Sequence, residues 1–202
     1  MVRYRLLAVF APVLLLLTAC GVNSIPTAEE AAKAKWADVQ AQFQRRANLI
    51  QNLVETARGA AGSERQILTE VTQARADATR VTVTPDQLND EAAMARLAEA
   101  QSRISAPVII RGLQEAYPDL QSQGNFRTLM VELERTENRV AVAIRDYNAA
   151  VQEYNTTIRT FPSVIGARII YGSQPMAPYQ AVTPGAEVAP TVNFDRPAGN
   201  RQ

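Results

Sequence analysis

The chain is expected to be all-α: an elongated antiparallel up-and-down helical bundle of three long helices plus a short C-terminal helical segment, with a flexible Pro-rich tail. Two observations carry this. Apolar residues recur at alternating three- and four-residue spacings over two long stretches, the 3.5-residue period of helices packed along a seam. Five of the 11 prolines, Pro175, Pro178, Pro184, Pro190 and Pro197, then fall after Gly172, where no such spacing continues.

The first element is a leader. Arg3-Tyr4-Arg5 precedes an apolar run from Leu6 to Leu17, followed by Thr18-Ala19-Cys20. At about 12 residues the run falls short of the roughly 20 that span a bilayer as a helix, which favours a cleaved signal over a permanent anchor. Leu17-Thr18-Ala19-Cys20 resembles the bacterial lipobox. That resemblance implies diacylation of Cys20, cleavage before it and acylation of the new N-terminus. Gly21 in place of Asp implies transfer to the outer membrane, facing the periplasm, with the inner membrane as the alternative. An ordinary secretory signal with an incidental cysteine is the competing reading.

Cys20 is the single cysteine, and the chain has no histidine. His/Cys zinc sites, Cys-His and Ser-His-Asp catalysis and histidine pH switching are therefore closed to it. A formal charge of +1, with no clustered basic surface, gives no footprint for nucleic acid. No cofactor motif or metal-ligand cluster is present, so no cofactor or metal is expected. Signal removal leaves roughly 180 residues, enough for one domain with a core.

The expected organisation is leader 1–19, tether 20–27, helical bundle 28–171 and extended tail 172–202. Thr27 and Glu30 have the spacing of a capping box. The seam that follows is Trp36, Val39, Phe43, Ile50, Leu53, Ala57, Ala60, Ile67, Val71, Ala74 and Ala78, with Arg46 and Glu64 in two of its slots. It keeps register across Gly59 and Gly62, which predicts one helix from Ala28 to Arg80, about 80 Å long. A turn at those glycines, giving four helices, is the runner-up.

Val81 to Pro85 is a breaker. A second helix is expected from Pro85 to Ser105, restarted by Ala106-Pro107 and ending near Tyr117-Pro118. The third long seam is Phe126, Met130, Leu133, Glu137, Val140, Ile144, Tyr147, Val151, Tyr154, Ile158 and Phe161. Val164 to Tyr171 is expected to cap the bundle.

Ordered blocks along these elements resemble the LemA family. They are Arg45-Arg46-Ala47-Asn48-Leu49-Ile50 with Asn52-Leu53-Val54, then Glu64, then Ala74-Arg75. Glu115-Ala116-Tyr117-Pro118-Asp119-Leu120, Phe126 and Thr136-Glu137-Asn138-Arg139-Val140-Ala141 follow. Asp146-Tyr147-Asn148, Tyr154-Asn155, Phe161-Pro162 and Pro190-Thr191-Val192-Asn193-Phe194 complete the set. The resemblance implies a membrane-associated bacterial protein with its helical domain outside the cytoplasm, and implies no reaction. Three features depart from the family: Gln51 where proline is common, Ile144 where arginine is usual, and a lipobox in place of an uncleaved membrane helix.

The candidate site residues are the polar groups on or beside the seams: Arg46, Asn52, Glu64, Arg75, Glu137, Asn138, Arg139, Tyr147 and Asn148. With the first and third helices taken as parallel, Arg46 and Glu137 fall at similar heights and are expected to pair. A buried pair that sets register, a ligand or partner site inside the bundle, and simple surface placement through a mis-set seam are all open at this stage. Glu64 with Glu137 would be the carboxylate pair of a hydrolase. The functional expectation is a lipid-anchored, non-enzymatic envelope interaction protein. A lipid- or ligand-binding module and a carboxylate hydrolase are the alternatives, and the partner is an unnamed envelope protein.

Overall fold

The computed structural model describes residues 23–60 and 66–182, and in these it is helical without strands. The leader, Cys20, Glu64 and the tail from residue 183 lie outside the described residues. Helix α1, Ser24–Ala60, is about 55 Å long. It starts before the expected capping box because Ile25 is completely buried, and Pro26 suits a first turn. Thr27 Oγ1 instead binds the carbonyl of Asn23 at 2.8 Å. The tether before the bundle is correspondingly shorter than expected.

Helix α2, Gln66–Arg80, turns back along α1. Arg58 Nη2 lies 3.5 Å from Thr72 Oγ1, Arg75 Nε donates to the carbonyl of Ala47 at 2.9 Å, and Trp36 Nε1 donates to the carbonyl of Val83 at 2.9 Å. The expectation of one helix from Ala28 to Arg80 is therefore corrected to a hairpin, the runner-up. A straight rod would leave Leu68, Val71 and Ala78 without partners, whereas the hairpin buries them with Ile50, Leu53, Val54 and Ala57. A seam that keeps register on both arms does not report the direction of the second.

After Arg80 the chain crosses the base of the bundle through a 3-10 turn, Pro85–Gln87. Helix α3, Glu91–Ser102, is capped by Asp90, whose Oδ1 accepts from the N–H of Ala93 at 2.9 Å. Helix α4, Ala106–Ala116, restarts at Pro107 as expected. A second 3-10 turn, Pro118–Ser122, leads to α5, Gly124–Thr157, about 50 Å long. The order is up, down, up in two pieces, down.

Helices α1 and α5 are antiparallel, not parallel: Ser24 meets Ser163, the rings of Trp36 and Tyr147 are 5.0 Å apart, and Arg46 meets Glu137. The hairpin adds one reversal to the path, which inverts the expected relation. The core divides into two clusters. One centres on Trp36, Phe43, Leu97, Tyr147 and Tyr154; the other on Ile50, Leu53, Leu68, Leu113, Phe126 and Leu133. Arg46 stands between them.

Beyond α5 come one helical turn, α6, Ser163–Gly166, and a π-type turn, Ala167–Tyr171, closed by Gly172 at φ 58°. That left-handed conformation suits glycine. Only part of the expected cap is used: Ser163, Gly166 and Ala167 are buried, whereas Ile165, Ile169, Ile170 and Tyr171 are exposed. Phe161, expected as the last seam residue, is 77% exposed, so the seam ends at Ile158.

Candidate interaction site: a polar layer and a bound strap

The break between α3 and α4 leaves carbonyls free at one helix end and N–H groups free at the other. Arg46, on α1, donates from Nη2 to the carbonyl of Gln101 at 3.3 Å and to its Oε1 at 2.6 Å. Its Nη1 donates to both oxygens of Glu137, at 3.1 and 3.0 Å. Glu137 Oε2 in turn accepts from the N–H of Ala106, the first residue of α4, at 3.2 Å. A cation thus sits at the end of one helix and a carboxylate at the start of the next, the favourable sense of both dipoles.

Gln101 completes the layer, donating to the carbonyl of Ala78 in the last turn of α2 at 3.2 Å. The layer therefore ties α1 through α5 together at the level where the core divides, with Gln101 supplying the link to α2. The guanidinium also lies over the Phe43 ring, 5.2 Å from its centroid.

The second feature lies along α5. Residues 172–182, expected as an extended tail without a core, are extended but packed on the bundle, with Met176, Ala177 and Tyr179 buried. Asn155 Nδ2 donates to the carbonyl of Met176 and its Oδ1 accepts from the Met176 N–H, both at 2.9 Å. Asn148 repeats this with Tyr179, at 2.9 and 2.8 Å. Tyr147 Oη donates to the carbonyl of Ala177 at 2.9 Å, and Tyr154 Oη to that of Gln174 at 3.2 Å. From the other side the carbonyl of Leu88 accepts from the N–H of Ala177 at 2.7 Å.

The spacing explains the match. Asn148 and Asn155 are seven residues apart on a helix, about 10.5 Å. Met176 and Tyr179 are three residues apart on extended chain, about 10 Å. The Tyr-Asn doublet at 147–148 and 154–155 is thus a ladder that reads main chain. Burial pushes the hydroxyl of Tyr147 well above the ordinary tyrosine range and that of Tyr179 up to about 12. For Tyr179 nearby Arg46 lowers the value and Glu137 raises it.

The structure brings Arg46 and Glu137 together and sets Tyr147 and Asn148, on α5, against the extended residues 172–182, the strap, whose carbonyls they bind. Arg75 is half-buried in the α1–α2 hairpin. Asn52, Asn138 and Arg139 are exposed and face away from the layer. The charge pattern had not singled out Gln101, Tyr154 or Asn155. The repeat of Tyr-Asn after seven residues is the signal that marks the last two. Among the described residues no cluster of acidic or sulfur ligands is arranged for a metal.

These features define an all-α helical bundle that clasps its own extended C-terminal segment. The LemA family model matches residues 35–194, and the chain belongs to the LemA family. Two proteins of Paramagnetospirillum magneticum, magnetosome proteins MamQ 1 and MamQ 2, are each 27% identical over 163 residues, covering 69% of this chain and 58% of their own length. Magnetosome protein MamQ of Magnetospirillum gryphiswaldense is 25% identical over the same coverage. The chain thus spans under two thirds of these relatives. Family and relatives point to a membrane-associated envelope protein. No described helix is long and apolar enough to cross a membrane.

Proposed function

We propose that the protein is a lipoprotein acylated at Cys20, held on the periplasmic face of the outer membrane, and that it acts as a non-enzymatic scaffold for an envelope protein partner. The observation that supports anchoring is the Leu-Thr-Ala-Cys boundary, whose cysteine stands four residues before α1. The scaffold reading draws on the polar layer: both oxygens of Glu137 are engaged by Arg46 and one also by Ala106, so this carboxylate joins helices.

Mass spectrometry of the mature N-terminus together with fractionation of a Cys20→Ala variant tests the anchor. A variant that stays as tightly membrane-bound as wild type refutes it. Crosslinking in native membranes, with identification of what is captured, tests the scaffold. Recovery of no protein besides the chain itself counts against it.

A second reading has its own observation. A pocket of about 400 Å³ opens beside the layer, lined by Trp36, Phe43, Leu97 and Ile104 with Gln40 and Gln101. It is of ligand size. Native mass spectrometry of protein taken from membranes, showing a bound small molecule lost on Leu97→Trp, would favour a carrier.

A further inference from the structure

We propose that the turn after α5 is a membrane-docking knuckle: Phe161, Ile165, Ile169 and Ile170 enter the interface of an anionic phospholipid bilayer beside the lipid anchor. The inference rests on the Cys20 anchor and adds to it a defined orientation of the bundle.

Three independent features converge here. Phe161, Ile169 and Ile170 are 77%, 79% and 62% exposed, and Ile165 and Tyr171 lie with them in an 11-residue stretch. Isolated apolar residues on a surface need no explanation, but a contiguous group of large ones marks a contact. Position is the second feature. Ser163 Oγ lies 3.4 Å from Ser24 Oγ, so this turn sits at the first turn of α1. Cys20 is four residues from Ser24, and extended chain covers at most about 14 Å over that interval. An acyl group on Cys20 therefore brings the bilayer to this end of the bundle and to no other, because α1 carries the opposite end about 55 Å away.

Charge is the third feature. From Tyr154 to Ala186 the sequence contains no Asp or Glu, while Arg159 and Arg168 are exposed within it. Of the acids nearby, Glu29 and Glu30 are both paired with Lys33, at 2.7 and 2.9 Å, and Asp86 lies on the Tyr171 side of the turn, in a pocket it shares with Glu29 and Gly172. Large apolar side chains with arginines beside them suit the headgroup boundary of anionic lipid. One acyl chain alone binds reversibly, whereas several chains plus an interfacial contact hold a fixed pose.

The test uses full-length protein matured in cells and reconstituted into vesicles of phosphatidylcholine and phosphatidylglycerol. Ile169→Cys at the knuckle and Asn125→Cys, exposed at the start of α5 at the far end, are labelled with an environment-sensitive fluorophore, and wild-type labelling is subtracted. We expect doxyl-lipid quenching at 169 to be at least threefold that at 125, with iodide quenching reduced at 169. Equal lipid quenching at the two positions overturns the proposal. So does shielding of 169 from iodide without lipid quenching, which means that a protein covers it. Wild type reports the anchor separately: an acylated Cys20 takes no thiol label, so label there sinks the anchor while the comparison of 169 with 125 still decides the knuckle.

Discussion

Removing Glu137 should cost more than removing Arg46, although the two form one ion pair. The Arg46 side chain is 3% exposed and that of Glu137 31%. Glu137→Leu leaves a guanidinium buried with one direct partner gone, and it strips the Ala106 N–H of its acceptor. Stranding a buried charge costs about 3–5 kcal/mol, and loss of a helix cap about 1 kcal/mol, part of which is already counted in the first figure. Arg46→Met leaves a carboxylate that can rehydrate through its exposed side, so the loss is that of charged hydrogen bonds to Glu137 and Gln101, about 2–3 kcal/mol. In the double variant no charge is stranded, and the cost should fall below the sum of the singles by about 1.5–3 kcal/mol. In a domain of this size 1 kcal/mol moves the midpoint by roughly 2–4 °C. Glu137→Leu should therefore melt at least 6 °C below wild type. Urea and thermal unfolding of wild type, both singles and the double close the cycle. Additive effects within 0.5 kcal/mol, or equal costs of the two singles, would refute the reasoning.

Two further outcomes follow from the strap. Asn155→Ala and Asn148→Ala each remove two hydrogen bonds to main chain, about 1–2 kcal/mol apiece; the double variant should speed amide exchange at Met176 and Tyr179 by at least tenfold, and unchanged exchange would mean that apolar burial alone holds the strap. Alkaline pH should loosen the same region. Tyr147 and Tyr179 stay protonated in the fold while the unfolded chain ionises near pH 10, so stability is full below pH 10 and falls as pH rises through about 12. The loss should approach about 1.4 kcal/mol per tyrosine by pH 11, and Tyr179→Phe should blunt it. An identical alkaline slope in that variant contradicts the assignment to Tyr179.

Much of the helical content was legible because it is written in local periodicity. Trp36, Val39, Phe43, Ile50, Leu53 and Ala57 on one arm, and Phe126, Leu133, Val140, Tyr147, Val151 and Tyr154 on another, are buried as their spacing demands. The restart at Ala106-Pro107 was equally plain. The charged seam slots were legible for the same reason: a seam tolerates Arg46 and Glu137 only with partners. The inferred height match arose from a parallel arrangement that the fold does not have, and the pair forms in the antiparallel one. Seam spacing reports which face is buried and is silent on direction, which is also why the α1–α2 hairpin read as a continuous rod.

By itself the sequence determined the helical class, the buried face of each arm, the breakers and the residues that need polar partners. These follow from interactions within one or two helical turns, which neighbouring residues control. The reversal of direction from α1 to α2, the antiparallel meeting of α1 with α5, the joining of α3 to α4 through Arg46 and Glu137, and the seating of residues 172–182 were decided by tertiary structure. Each depends on groups far apart in the chain. In the strap, moreover, Asn148 and Asn155 bind peptide groups that every residue carries, so the bound segment needs no side-chain signature to be recognised. The exposed turn from Phe161 to Tyr171 shows the same limit from the other side: its composition reads as core, and only the packed fold leaves it without a partner.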